Sequence, residues 1–137
     1  MRVVLDANVF VGFCLAHSLI LTKILELWQK KKILVYLSPE IKAEILRVFL
    51  YPKIKKYFNY QHFRVVKYLL NKQTMMVYPK KKIDICKDSF DNMYLECSQV
   101  SQAEFLITGD KKHLLSLENF GKTKIVSPAQ FVKGLEK

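Results

Sequence analysis

Two aspartates in this sequence end apolar runs of strand length. Asp6 follows Val3-Val4-Leu5, and Asp110 follows Phe105-Leu106-Ile107-Thr108-Gly109. Glu44 sits inside a helical pattern that follows a strand, and Asp91 near the start of a helix that precedes one. Open α/β sheets take their ligands at the carboxyl ends of strands, where the strand order reverses. If the first and fourth strands are neighbours there, these carboxylates converge, and clustered carboxylates do not all stay ionised without a cation. The economical cation is Mg²⁺ or Mn²⁺, hard and oxygen-seeking, retaining several waters while bridging to a phosphate. Such an ion lowers the pKa of its water and steadies the leaving oxygen of a phosphodiester. The predicted chemistry is therefore metal-dependent phosphodiester hydrolysis. Taken singly, each acid also reads as a turn or capping carboxylate, Asp88 especially, because a helix N-terminus favours negative charge.

The charge distribution fits that chemistry. The 137 residues carry 23 Lys and Arg against 12 Asp and Glu, a net charge of +11. Basic residues dominate from Lys30 to Lys56 and from Arg64 to Lys87. From Asp88 to Glu118 the sign reverses, six acids facing only Lys111 and Lys112. A basic body around an acidic focus attracts phosphates and holds a cation at the centre. Lys80, Lys81 and Lys82, with Lys111 and Lys112, are the candidate RNA-binding cations, although each Lys run alone also reads as a solvated loop.

Strand and helix patterns alternate along the chain. Strands are expected at Val3–Leu5, Ile33–Leu37, Thr74–Tyr78, Glu104–Thr108 and Lys124–Val126. Helical spacing is expected from Val9 to Leu15, Leu19 to Trp28, Pro39 to Leu50, Lys53 to Phe58 and Gln61 to Asn71. Further helices are expected from Cys86 to Ser101, Lys111 to Leu117 and Pro128 to Leu135, Ser38-Pro39 and Ser127-Pro128 being helix starts. This alternation predicts a parallel sheet with helices on both faces, in one α/β domain spanning residues 1–137. Cys14, Cys86 and Cys97 form no CxxC pair and are expected to be buried, reduced thiols. No apolar run reaches the roughly 18 residues that span a bilayer, and no membrane association is expected. The chain reads as cytoplasmic.

In order along the chain stand Leu5-Asp6-Ala7-Asn8-Val9, Glu44 in a helix after Ser38-Pro39-Glu40, and Asp88-Ser89-Phe90-Asp91-Asn92-Met93-Tyr94-Leu95-Glu96. Leu106-Ile107-Thr108-Gly109-Asp110 and the closing Lys124-Ile125-Val126-Ser127-Pro128 follow. In this order the motifs closely resemble the PIN-domain family, in the branch described as toxins of toxin–antitoxin systems, akin to VapC-type ribonucleases. The resemblance implies a three-layer α/β/α fold with a five-stranded parallel sheet in the order 3-2-1-4-5. It implies Mg²⁺- or Mn²⁺-dependent endoribonuclease activity on RNA, and an antitoxin protein as partner. Homodimers are common in the family. Asp6, Glu44, Asp91 and Asp110 match its catalytic acids. Asp6, Asp91 and Asp110 correspond to the metal ligands, and Glu44 to the group that orients or deprotonates the attacking water. Asn8, Thr108 and Asp88 match supporting positions. Two departures are Ala7, where Thr is common, and Tyr94, Cys97 and Ser98, where many relatives carry small residues.

Two other classes compete. A PIN-like module that binds RNA or protein without cutting would be expected to have lost some of the four acids. A phosphoacceptor domain of receiver type expects an acidic pair after the first strand and an Asp ending the third, which here runs into Tyr78-Pro79.

Overall fold

In the computed structural model, which describes residues 1–86, 88, 91–110 and 113–136, β1 (Arg2–Leu5) is the centre of the sheet. Successive strand residues face opposite sides, so the complete burial of Val3, Val4 and Leu5 means that β1 is covered on both faces. β1 pairs in parallel with β2 (Leu34–Leu37) on one side and β4 (Phe105–Ile107) on the other. β3 (Thr74–Met76) adds in parallel beyond β2, and β6 (Thr123–Val126) in parallel beyond β4.

The expected order 3-2-1-4-5 thus holds for the five parallel strands, but the sheet has a sixth. β5 (Asn119–Phe120) pairs antiparallel with β6 at the edge, giving the order β3-β2-β1-β4-β6-β5. The two-residue connection Gly121-Lys122 makes this hairpin, with Gly121 at φ +58°, a value glycine adopts without steric cost.

Among the described residues there are seven α-helices: α1 (Ala7–Leu15), α2 (Leu19–Gln29), α3 (Pro39–Phe49), α4 (Pro52–Lys55), α5 (Tyr60–Lys72), α6 (Asn92–Ser101) and, after the last strand, α7 (Pro128–Leu135). Side-chain caps start most of them. Ser18, Ser38, Asn59 and Ser127 each accept a hydrogen bond from a backbone N–H three residues on, a contact worth about 1 kcal/mol. α1 packs on α3 and α5, α2 on α7, and α6 lies against β1, β2 and β4. Phe10, Phe13 and Trp28 form the aromatic centre where α1 meets α2, with ring centroids 5.6–6.2 Å apart. Cys14, Cys86 and Cys97 are buried free thiols, and burial pushes those of Cys14 and Cys97 up to about 12, which keeps them unreactive.

Two helices depart from the sequence pattern. α6 begins at Asn92 instead of Cys86. The buried Asn92 side chain accepts from the N–H groups of Ile85 and Cys86 at 3.1 and 2.9 Å, and Glu96 accepts from Ile83 N–H at 2.9 Å. These side chains strap the incoming segment across the first turns of the helix, so its amides are used outside a helix. After β4, the expected helix from Lys111 is replaced, in residues 113–117, by a turn and a 3₁₀ segment at Leu115–Leu117. Asp110 closes that turn, its carboxylate accepting from His113 N–H and its carbonyl from Leu115 N–H. Among the described residues no single helix is long and apolar enough to cross a membrane.

Candidate active site

The chain turns from β1 directly into α1 at Asp6, which is 5% exposed. Its Oδ1 accepts from Val9 N–H at 3.0 Å, so the residue that ends the strand also caps the helix. Its Oδ2 accepts from the Thr108 hydroxyl, the first residue past β4. Thr108 is fully buried and accepts in turn from Asp110 N–H at 3.0 Å. One threonine thereby ties the ends of β1 and β4 together, at the point where the strand order changes direction.

A cavity of about 990 Å³ opens at that point, and Asp6, Glu44, Asp88, Asp91 and Asp110 all line it. Asp91 is the N-cap residue of α6, yet its side chain makes no capping hydrogen bond and is left to the cavity. It is hydrogen-bonded to the Asp110 carboxyl. Burial first, then the Asp110 charge and that hydrogen bond, and then Asp88, push the Asp91 carboxyl up to about 6, with His113 opposing. Asp6 is also shifted upward, chiefly by burial, against the hydrogen bonds from Thr108 and the backbone amides of Val9, Asn8 and Gly109. Burial raises both carboxyl groups, and at Asp91 the neighbouring acids of the cluster add to it.

Asn8 lies exposed on the cavity wall, and Asp88 is at its rim. Glu44 comes from α3 and is held by Arg47, one turn along. Arg47 Nε donates to Glu44 Oε2 at 3.1 Å, and Nη2 donates to Oε1. A smaller cavity of about 540 Å³ continues from the first, sharing Glu44, Arg47 and Met93 and bringing Lys82 to its wall. Lys80 and Lys81 are exposed on the same loop. Lys111 and Lys112 lie outside the described residues.

Two further cavity residues were not among the expected site residues. Tyr94, on α6, accepts from Ala7 N–H at 3.1 Å and so links the corner after Asp6 to α6. Arg47 neutralises Glu44, and the signal for it was the i, i+3 spacing of opposite charges on one helix. Among the described residues no three His, Cys, Asp or Glu side chains stand at metal-binding separation. The donor set nevertheless fits a hard divalent ion. It is all oxygen, Asp91 and Asp110 already touch, and both Asp91 and Asp6 are held toward the protonated form that a cation would displace.

The PIN domain family model matches residues 2–112. The uncharacterized protein MJ1680 of Methanocaldococcus jannaschii is 33% identical over 146 residues, covering 99% of this chain and 92% of that protein. Among solved structures, that of VapBC2 from Rickettsia felis bound to a DNA fragment from their promoter superposes with a TM-score of 0.60. It covers 93% of this chain and 98% of that one at 15% identity, a likeness of fold. The family match over residues 2–112, together with the acidic cavity at the β1–β4 junction, places this chain in the PIN domain family.

Proposed function

We propose that the chain is a metal-dependent endoribonuclease, acting in the cytoplasm as the toxin of a toxin–antitoxin pair, with residues 1–137 as one catalytic domain. The observation that carries this reading is the convergence of five carboxyl groups on one cavity at the β1–β4 junction, two of them sharing a hydrogen bond.

Asp6, Asp91 and Asp110 are the residues proposed to hold Mg²⁺ or Mn²⁺. A bound ion of this kind supplies Lewis acidity and a water of lowered pKa. The chain's own groups do the positioning. Thr108 and the Val9 amide fix the Asp6 carboxylate at the cavity wall. The Asp110 carboxylate is held by His113 N–H. Glu44, once released from Arg47, faces the same space as a group to orient or deprotonate water. Asn8 and Asp88, at the wall and rim, support that arrangement. Lys82, on the wall of the adjoining cavity, and the exposed Lys80 and Lys81 offer cations to the RNA backbone, with Lys111 and Lys112 proposed for the same role.

An antitoxin is the protein partner in this reading. A groove of about 420 Å³ between α3, α4 and α5 has an apolar floor that includes Phe49, Phe63 and Leu70. Lys42, Lys55 and Lys67 rim it, and none of the residues lining it is acidic. Apolar floor and basic rim together suit an acidic amphipathic segment.

The deciding experiment is cleavage of a mixed RNA panel by purified protein, with Mn²⁺ or Mg²⁺ against EDTA, and wild type against Asp91→Asn. Metal-dependent cutting lost in Asp91→Asn is expected. RNA bound but uncut under either metal would favour the binding-module reading.

A further inference from the structure

Arg47 is in contact with two side chains at once. It grips Glu44, it donates through Nη1 to the Tyr51 hydroxyl, and its guanidinium carbon lies 5.1 Å from the centroid of the Tyr51 ring. It lines both the acidic cavity and the cavity that continues from it. Among the residues lining the acidic cavity it supplies the Lys or Arg cation.

Tyr51 follows α3, and Pro52 starts α4 directly after it, so its backbone is stiff where its side chain projects. The ring is 43% exposed and, with Pro52, Lys53 and Ile54, lines a shallow apolar hollow. The same pairing of cation and exposed ring recurs at Lys56 with Tyr57 and at Arg64 with Tyr60. Alternating cations and exposed aromatic rings are what single-stranded nucleic acid uses, because every base has a face to stack and every nucleotide a phosphate. A duplex keeps its base faces covered and gains nothing from the rings.

Resting on the ribonuclease reading above, we propose that Arg47, on the wall of the acidic cavity, and Tyr51, beside it, form one substrate-engaging unit. Tyr51 stacks a base of single-stranded RNA, and Arg47 leaves Glu44 to hold the adjoining phosphate. The exchange is energetically open, because exposed ion pairs such as Arg47–Glu44 are weak, whereas a guanidinium grips phosphate through two parallel hydrogen bonds. It also uncovers the Glu44 carboxylate when substrate arrives. Arg47 is a positioning residue for Glu44 and a binding residue for RNA.

The test is fluorescence anisotropy of a labelled, unstructured RNA dodecamer and of the matching duplex, in EDTA so that nothing is cut, across a salt series. Tyr51→Leu is expected to lower single-strand affinity about 5- to 150-fold and to leave duplex affinity unchanged. Tyr51→Phe keeps the ring and is expected to bind nearly as wild type. Arg47→Ala is expected to make the slope of log affinity against log salt shallower by about 0.7, the value for one phosphate on a single strand. If wild type binds the dodecamer but Tyr51→Leu and Arg47→Ala bind it equally well with the same slope, this inference is overturned and the ribonuclease reading stands. If wild type binds neither RNA at any salt and cuts none with metal, both are overturned.

Discussion

The carboxyl groups of Asp91, at the start of α6, and Asp110, just past β4, are hydrogen-bonded to each other. The contact sets one carboxyl group against another and raises Asp91, which marks the acidic cavity as a place where negative charge is in excess. The fold has placed these groups together against their mutual repulsion, and most predictions for this protein follow from that.

Stability without metal should depend on pH with a definite sign. The Asp91 carboxyl rises from its ordinary value of 3.8 to about 6 in the folded chain. Between those values the folded protein holds a proton that the unfolded chain has lost. The contribution is full below pH 3.8, falls as pH rises through about 6, and is absent above. Asp6 shifts in the same direction and adds to the same trend. Urea denaturation in EDTA between pH 4 and 7.5 should show a decline that is flatter in Asp91→Asn, and Asp91→Asn should be at least as stable as wild type at pH 7.5. A steeper decline in the variant would contradict the upward shift of Asp91.

Divalent metal should reverse that repulsion. Mn²⁺ or Mg²⁺ at a hundredfold excess over its Kd is expected to stabilise the wild type by about 2.7 kcal/mol. Asp6→Asn keeps the helix cap, since Asn caps as well as Asp, but lacks the charge. Thermal melts with and without metal should therefore show a metal-dependent shift in wild type and little in Asp6→Asn. Equal shifts in both would move the ion away from Asp6.

Thr108 touches both strand ends and is expected to act through Asp6 and Asp110. Thr108→Val keeps the shape and removes the hydroxyl. Loss of such an outer contact typically lowers metal affinity or activity by about 10–100-fold. Thr108→Ser should recover most of it, because its hydroxyl can make the same two bonds. Metal titration followed by cleavage assays of the three proteins separates this from simple loss of packing.

Tyr94→Phe tests the link from the Asp6 corner to α6. It leaves the buried Ala7 N–H without its acceptor, which costs about 1–3 kcal/mol. A lower urea midpoint with an unchanged slope is the expected result. If stability is unchanged, water reaches the Ala7 amide and the link carries little.

Much of this could be read from the residues in order. The uninterrupted burial of Val3-Val4-Leu5, the Ser-Pro helix starts and the apolar helical stripes are local signals, because period and capping act over a few residues. The carboxylates at strand ends are equally local. Other features were not legible. Asn92 and Glu96 look like ordinary helix residues, and only their bonds to Ile83, Ile85 and Cys86 show why α6 starts late. Nothing in Asn119-Phe120 announces a strand until β6 offers it an edge.

The sequence by itself determined the five parallel strands and most of the helices, and where acids stand relative to their ends. Tertiary structure decided who touches whom. Thr108 reaches Asp6 across 102 residues and Tyr94 reaches Ala7 across 87, because the register of β1 against β4 and the seating of α6 bring those atoms within hydrogen-bond distance. Register and packing minimise the free energy of the whole core, so no window of neighbouring residues contains them.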